Sequence, residues 1–263
     1  MPFELFSHAP FAAVWATLAW TIIVGTIAHT LVFRTSLFNI FIENRLPHVL
    51  VTCLNVMFVF FIAFMASDNY SRFNHAQNNV IQEIIAVKRI INAQDLPPEI
   101  QAKNTALIKS YLDSVVNQEW KEGLNKQANP QVEEALNLLI GNISAYRKQC
   151  VQANNFNCLD TLTFNNHRQY IDDLRDARDQ RLAFGQESAE YFRYALCNVL
   201  GLNALIALMI LFKANPKAAR RPLMMYCFSF WMILLIVVVH TNPFTGFQAV
   251  KVEPLEQILV QLQ

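Results

Sequence analysis

The sequence predicts an all-α membrane protein with four transmembrane helices in two pairs and a helical extramembrane bundle between spans two and three. Two observations lead to this fold class. Only 16% of the residues are charged, against about 25% in an average soluble chain. Four runs contain no Asp, Glu, Lys or Arg, at residues 11–33, 46–67, 194–212 and 222–250. A transmembrane helix needs about 20 mostly apolar residues, so each run has the length of a span or nearly so.

The charge-free runs divide the chain into three parts. Residues 1–67 form an N-terminal transmembrane hairpin, with spans at about 11–33 and 46–67. Residues 68–190 form a helical domain outside the membrane. Residues 191–263 form a second hairpin, with spans at about 194–212 and 222–242, and end in a short amphipathic tail. The segment before the first span contains Glu4 and lacks the basic residues of a secretory signal peptide, so this span is expected to remain as an anchor.

Helical signals continue through the central domain. The second span runs on without Gly or Pro until Pro97 and Pro98, which predicts one long helix that leaves the membrane and ends before the prolines. Asn129 followed by Pro130 is a capping and first-turn signal for a later helix, at 131–149. A last helix begins near residues 160–166 and is expected to continue into the third span. Together these helices predict an antiparallel bundle.

Basic residues are concentrated in the two loops that connect paired spans. The first loop has Arg34 and Arg45 against Glu43, and the second contains four basic residues and no acid: Lys213, Lys217, Arg220 and Arg221. Short loops rich in Lys and Arg remain in the cytoplasm. We therefore expect a multi-pass protein whose N-terminus, C-terminus and central domain are all extracytoplasmic.

The cysteines of the central domain form a candidate disulfide. Cys150 and Cys158 flank a polar stretch, and an exported domain would meet an oxidising compartment in which they can pair. The alternative is two unrelated thiols. The remaining cysteines lie in the spans, where Cys usually acts as a small apolar residue.

Enzyme chemistry has no support in the sequence. The six His residues are scattered without metal-binding spacing, and the six Gly residues form no phosphate-binding loop, so neither a metal site nor a cofactor is predicted. The net charge of +1 does not favour a nucleic-acid partner. The spans lack ionisable carboxylates and amines, which proton-coupled transporters need, whereas a passive pore does not.

The second span contains the candidate pore-lining residues. A buried amide needs a protein or water partner in the membrane, and apolar side chains one or two turns away can form a gating neck. The candidates are Thr52, Asn55, Phe58, Val59 and Ile62. The alternative is ordinary packing, in which Asn55 bonds a neighbouring helix and the aromatic residues face lipid or the helix core.

Residues 60–120 resemble the bestrophin-like membrane protein family of bacteria, first catalogued as a domain of unknown function. The resemblance lies in the long helix that leaves span two, the break after it, and a pattern of residues in the following helix. These residues are Leu96, Pro97, Tyr111, Val115, Val116, Glu119 and Trp120.

A second element that resembles this family follows the fourth span. Pro243, Phe244 and Gly246 match the family's Pro-Phe-x-Gly element. Family members often have an Asp just before it, where this chain has Thr241 and Asn242. The order of spans and central domain matches the family over nearly the whole chain.

The resemblance implies a homo-oligomeric, passive ion channel of a bacterial inner membrane, with anions as candidate permeant ions. The expected partners are the lipid bilayer, further copies of the chain and inorganic anions. The alternative function is a non-conducting envelope protein whose helical domain binds or senses a partner.

Overall fold

The computed structural model describes residues 10–34, 48–122, 125–153, 161–186, 191–212, 216–239, 242–244 and 249–262. Within these ranges every regular element is helical, which confirms the all-α fold class. The helices are α1 (Pro10–Arg34), α2 (His48–Ile91), α3 (Pro98–Ser114), a π-helix (Val115–Glu122), α4 (Pro130–Gln152), α5 (Thr161–Gln186), α6 (Tyr191–Leu211), α7 (Pro216–Val239) and α8 (Glu253–Gln261).

The chain divides into two compact units. The membrane unit comprises Met1–Ser71 and Ala189–Gln248, and the helical unit comprises Arg72–Ser188 and Ala249–Gln263. Helix α2 is continuous across the boundary, as expected from the absence of Gly and Pro in its sequence. It ends at Ile91, a few residues before Pro97. Whether α5 continues into α6 concerns residues 187–190, which lie outside the described ranges.

Within the described ranges, four helices are long and apolar enough to cross a membrane, as the charge-free runs predict. The candidate spans lie in the segments Val14–Arg34, Val51–Ile91, Arg193–Leu211 and Arg220–Val237. In the membrane unit α1 packs against both α6 and α7, and α6 packs against α7. Gly201 allows close packing here, because a Cβ at this position would lie 2.2 Å from a ring carbon of Phe230.

Several polar side chains in the spans bond to neighbouring helices or to their own backbone. The Asn198 Oδ1 of α6 accepts a hydrogen bond of 2.7 Å from Trp20 Nε1 of α1. The Asn198 amide donates in turn to the Tyr194 carbonyl, at 2.8 Å. Trp231 of α7 donates to Thr17 of α1 at 3.2 Å. Such bonds satisfy groups that hydrocarbon cannot, and they tie α1 to both C-terminal spans.

The helical unit is a bundle in which α3 packs on α4 and α4 packs on α5. Helix α4 begins as the sequence predicts: the Asn129 side chain accepts a hydrogen bond of 2.8 Å from the Gln131 backbone N–H, and Pro130 occupies the first turn. The C-terminal helix α8 packs on α3 through a buried apolar face. Lys121 and Glu256 form an ion pair of 2.8 Å beside this contact.

Candidate pore face and buried ion-pair network

The membrane half of α2 has one buried face and one exposed face. Val51, Phe58 and Met65 are buried at intervals of seven residues, which is two helical turns. The Phe58 ring lies 6.0 Å from the Phe230 ring and 6.3 Å from the Tyr226 ring, centroid to centroid. This aromatic cluster holds α2 in the core of the membrane unit.

The five candidate pore residues fall on different faces. Phe58 is only 5% exposed, and Ile62 packs partly buried against the same core. Val59 is 64% exposed, Thr52 is also exposed, and Asn55 is half-buried between the two faces. The structure therefore brings Thr52, Asn55 and Val59 together, and it separates them from Phe58 and Ile62.

Thr52, Asn55 and Val59 line a shallow groove along α2. Its volume is about 420 Å³, and Val56, Phe60 and Ala63 complete its lining. The Asn55 amide donates a hydrogen bond of 2.9 Å to the Val51 carbonyl one turn earlier, which uses one of its two N–H groups. The other N–H and the carbonyl oxygen are not needed for this bond and can serve an ion or water in the groove.

The exposed face of α2 has two chemically different sides, because successive helical residues are rotated by about 100°. One side contains small or polar residues together with the apolar Val59, and we call it the pore face: Thr52, Asn55, Val59, Ala63 and Ala66. The other side contains larger apolar residues, and we call it the apolar side: Cys53, Met57, Phe60 and Phe64. Large apolar residues suit contact with lipid or another chain, whereas small and polar ones suit water or close packing.

The helical unit contains a buried ion-pair network that the sequence analysis did not identify. Arg178 and Arg181 of α5 and the carboxylates of Glu83 and Glu119 are buried. Arg181 Nε lies 2.8 Å from Glu83 Oε2, and Arg181 Nη2 lies 2.9 Å from Glu119 Oε2. Arg178 Nη2 lies 2.6 Å from Glu119 Oε1. Two cations and two anions thus alternate in one chain of contacts from α2 to α5.

Neutral groups complete the network around Arg181. The Tyr111 hydroxyl donates a hydrogen bond of 2.7 Å to Glu83 Oε1. Arg181 also donates to the Asn125 side-chain oxygen, and its guanidinium lies 5.4 Å from the centre of the Trp120 ring. Burial and then the charge of Glu83 raise the pKa of the Tyr111 phenol well above its usual value, so this hydroxyl remains a donor at neutral pH.

The charges in the network shift the pKa of Glu119 and of both arginines toward the ionised forms. Burial by itself would raise the pKa of the Glu119 carboxyl, but the hydrogen bond from Arg178 and the charge of Arg181 outweigh burial and lower it. Burial would likewise lower the pKa of both guanidinium groups, and the neighbouring carboxylates raise it instead. A buried pair of this kind is stable only while all partners are present.

The π-helix and the turn after it shape the backbone beside the network. The π-helix carries Glu119 and Trp120, and the Glu119 carbonyl accepts a hydrogen bond of 2.7 Å from the Asn125 N–H. Asn125 has a positive φ of 56°, a conformation that Asn tolerates better than most residues. Gly185 faces this turn, where a Cβ would lie 1.9 Å from the Asn125 carbonyl oxygen.

The sequence of α5 contains a pattern that places both arginines on its buried face. His167, Ile171, Leu174, Arg178 and Arg181 follow one another at steps of three or four residues, so both arginines occupy positions where a buried stripe would normally have apolar residues. Opposite charges at buried positions of different helices point to pairing. The sequence does not say which carboxylates they meet.

The remaining predicted site residues are only partly described. Pro243 and Phe244 are buried, and the Phe244 N–H donates a hydrogen bond of 2.8 Å to Asn242 Oδ1. Gly246 lies outside the described residues, as does Cys158, the expected partner of Cys150. Among the residues that the structure describes, no group of three or more His, Cys, Asp or Glu side chains is arranged to hold a metal ion.

Several solved structures of membrane proteins have a similar fold. The chain is similar to a variant of a bacterial bestrophin homologue from Klebsiella pneumoniae with a TM-score of 0.67 at 14% identity, covering 95% of this chain and 98% of that one. A zinc-phased structure of the Klebsiella pneumoniae homologue gives a TM-score of 0.66 at 14% identity, covering 95% and 97%. A crystal structure described as a membrane protein gives 0.66 at 14% identity, with the same coverage. At this identity the likeness shows a shared fold.

Sequence comparison identifies the family. The comparison with curated proteins found no match. The model of the Bestrophin-like domain matches residues 16–255, which cover the last three spans, nearly all of the first span and most of the helical unit. The chain is therefore a member of the Bestrophin-like domain family.

Proposed function

We propose that this chain is the subunit of a homo-oligomeric, passive ion channel of bestrophin type, with the pore face of α2 lining the pathway. The observation that carries the proposal is the division of the exposed surface of α2 into a small, polar side and a large, apolar side. A helix surface that contacted only lipid would be expected to carry large apolar residues on both sides. Family membership and similarity to the Klebsiella pneumoniae bestrophin homologue support the same function.

Several copies of the chain are needed to enclose a pathway. The pore face lies along one exposed helix surface, so a single copy presents an open groove and not a pore. A ring of subunits, each contributing Thr52, Asn55 and Val59, would close it. Hydroxyl and amide groups would contact the hydrated ion, and the ring of Val59 side chains would form an apolar constriction. Phe58 and Ile62, on the opposite face of α2, would hold the helix in position by packing in the core of the membrane unit.

The distribution of charge in the membrane unit supports passive conduction of anions. The membrane-spanning part of α2 up to residue 67 contains no ionisable acid or base except His48 and Cys53, so it offers no proton relay. The first turns of α7 are basic, with Lys217, Arg220 and Arg221 exposed. A positive potential at one mouth raises the local concentration of anions.

We place the protein in the inner membrane of a bacterium, with both hairpin loops in the cytoplasm. The support is the excess of Lys and Arg in those loops. This orientation puts the helical unit and both termini outside the cytoplasm, where Cys150 and Cys158 can form a disulfide.

Halide flux into liposomes that contain the purified protein tests the proposal. Wild-type protein is expected to conduct, and Val59→Ala is expected to raise the flux because it widens the apolar constriction. Met57→Ala is the matched control, since Met57 is 61% exposed on the apolar side of the same helix. It should conduct like wild type. Absence of halide flux over a range of pH and voltage would favour a non-conducting envelope protein instead.

Oligomeric state is a simpler first measurement. The mass of the protein in detergent is expected to correspond to several copies. A strict monomer would contradict the proposed pathway, because one copy cannot surround it.

A further inference from the structure

A second groove runs along the membrane unit between α1 and α7, apart from the pore face of α2. Its volume is about 1070 Å³, and most of its lining belongs to these two helices, with Met209 contributed by α6. The helices are antiparallel, since Gly25 faces Cys227 and Thr17 bonds Trp231. From Leu18 to Phe33 the groove follows α1 for roughly 22 Å at 1.5 Å per residue. This exceeds the depth of one leaflet, about half of a 30 Å core.

Apart from His29 and Arg220, the groove is lined by apolar and aromatic side chains and by two threonines whose hydroxyl groups bond within their own helix. Thr21 donates a hydrogen bond of 2.9 Å to the Thr17 carbonyl, and Thr26 donates one of 2.7 Å to the Ile22 carbonyl. Both hydroxyl groups therefore donate to backbone carbonyls of α1. A molecule in the groove would contact the threonine methyl groups and the apolar side chains. The wall therefore suits a hydrocarbon chain better than a polar ligand.

One end of the groove is positively charged. Arg220 lines it two turns before Cys227 along α7, and Phe33 lines the same end two turns after Gly25 along α1. Arg34, the last residue of α1, is exposed next to Phe33 in the chain. Among the described residues, Arg220 has no carboxylate within ion-pair distance. An anionic group at this end could pair with the Arg220 guanidinium.

We propose that this groove binds one anionic phospholipid, with an acyl chain between α1 and α7 and its phosphate on Arg220. The combination of a long apolar wall with a cation at one end matches a lipid more closely than a second protein helix. A helix would have to bury its own side chains against an arginine, whereas a lipid presents phosphate at the depth where its chain begins. The inference concerns lipid binding and holds whether or not the protein conducts ions.

Native mass spectrometry of the delipidated protein tests the proposal, with phosphatidylglycerol or phosphatidylcholine added back. Wild type should retain phosphatidylglycerol at higher occupancy than phosphatidylcholine. Arg220→Gln should lower the phosphatidylglycerol affinity about fivefold, as expected for one basic residue near an anionic lipid. Arg221→Gln is the matched control, because Arg221 is also exposed on α7 but does not line the groove. It should bind like wild type. Equal affinity in Arg220→Gln and wild type, or equal binding of the two lipids, would overturn the proposal.

Photocrosslinking identifies the occupant directly. A benzophenone amino acid in place of Met224, which lines the groove and is 64% exposed, should yield an adduct with the mass of a phospholipid. An adduct with a second copy of the chain would show that the groove is a subunit interface and would overturn the lipid assignment.

Discussion

Arg181 and Glu83 form a fully buried ion pair of 2.8 Å between residues 98 positions apart in the sequence. The pair joins α5 to the part of α2 that lies in the helical unit. Glu119 adds a second carboxylate at 2.9 Å from the same guanidinium, and its other oxygen is held by Arg178. Removal of one partner would leave a buried charge without compensation, and this makes the network a sensitive point of the fold.

Replacement of Arg181 by Met is expected to destabilise the helical unit by about 3–5 kcal/mol, because Glu83 and Glu119 would remain buried without this partner. The measurement is the denaturant or thermal unfolding of the purified protein in detergent. Arg168→Met is the control, since Arg168 and Asp172 form an exposed pair of 3.8 Å. It should change stability by about 1 kcal/mol or less. Equal effects of the two substitutions would show that the buried network contributes no more than a surface pair.

Acidification is expected to destabilise the protein through Glu119. The pKa of Glu119 is lowered in the folded state, despite the opposing effect of burial, by Arg178 and Arg181. A carboxyl with a depressed folded pKa adds stability above its unfolded pKa of about 4.3 and loses it as the pH falls through the folded pKa. The thermal unfolding temperature should therefore decrease when the pH is lowered below about 4. In Glu119→Gln the midpoint should be lower at neutral pH and should depend less on acid, and an unchanged acid dependence would contradict the assignment.

Phe58→Ala is expected to cost about 3–5 kcal/mol of stability, because the ring is buried against Phe230 and Tyr226. Phe60→Ala removes an equal side chain two residues away, where the ring is 73% exposed, and should cost much less. Thermal unfolding of both variants gives the comparison. If Phe58→Ala instead changed ion flux and left stability unaltered, this result would show that the Phe58 ring lines the pathway and does not pack in the core.

The bond between Cys150 and Cys158 remains a prediction, since Cys158 lies outside the described residues. In the chain-entropy description a short loop of this size would stabilise the folded protein by roughly 2–3 kcal/mol. Peptide mass spectrometry of freshly isolated, unreduced protein should find the two cysteines linked. Two free thiols would reject the bond and would weaken the case for an extracytoplasmic helical unit.

The orientation in the membrane is tested by labelling single cysteines with an impermeant reagent in intact cells, in a cysteine-free background. Gln127→Cys and Asn142→Cys in the helical unit are expected to react from outside, whereas Lys217→Cys at the start of α7 is not. Lysis of the cells should make position 217 reactive and serves as its control. Reaction at 217 in intact cells would reverse the proposed topology.

Local signals in the sequence predicted much of the architecture correctly. The four spans follow from the length of the apolar runs and their lack of charge, because charged side chains are unfavourable in the hydrocarbon core. The end of α2 before Pro97 and the start of α4 at Asn129 and Pro130 follow from backbone chemistry. Each of these signals depends on residues that are neighbours in the chain.

The sequence does not decide which way each side chain of α2 faces. The stripe that contains Thr52, Asn55 and Val59 can be read from helical periodicity, but the same periodicity leaves Phe58 and Ile62 close to it. Only contact with Phe230 and Tyr226 shows that Phe58 points into the core. An apolar side chain in a membrane span carries no signal of its own, because lipid and protein core are both apolar.

The sequence by itself determined the membrane class, the helical content and the order of spans, since these depend on composition and on nearest neighbours along the chain. The tertiary structure alone decided which charges meet. Arg181 finds its partners 98 and 62 positions away, and Arg178 lies 59 positions from Glu119. No periodicity reports such pairing, because a buried charge is stabilised by groups that folding brings to it from distant helices.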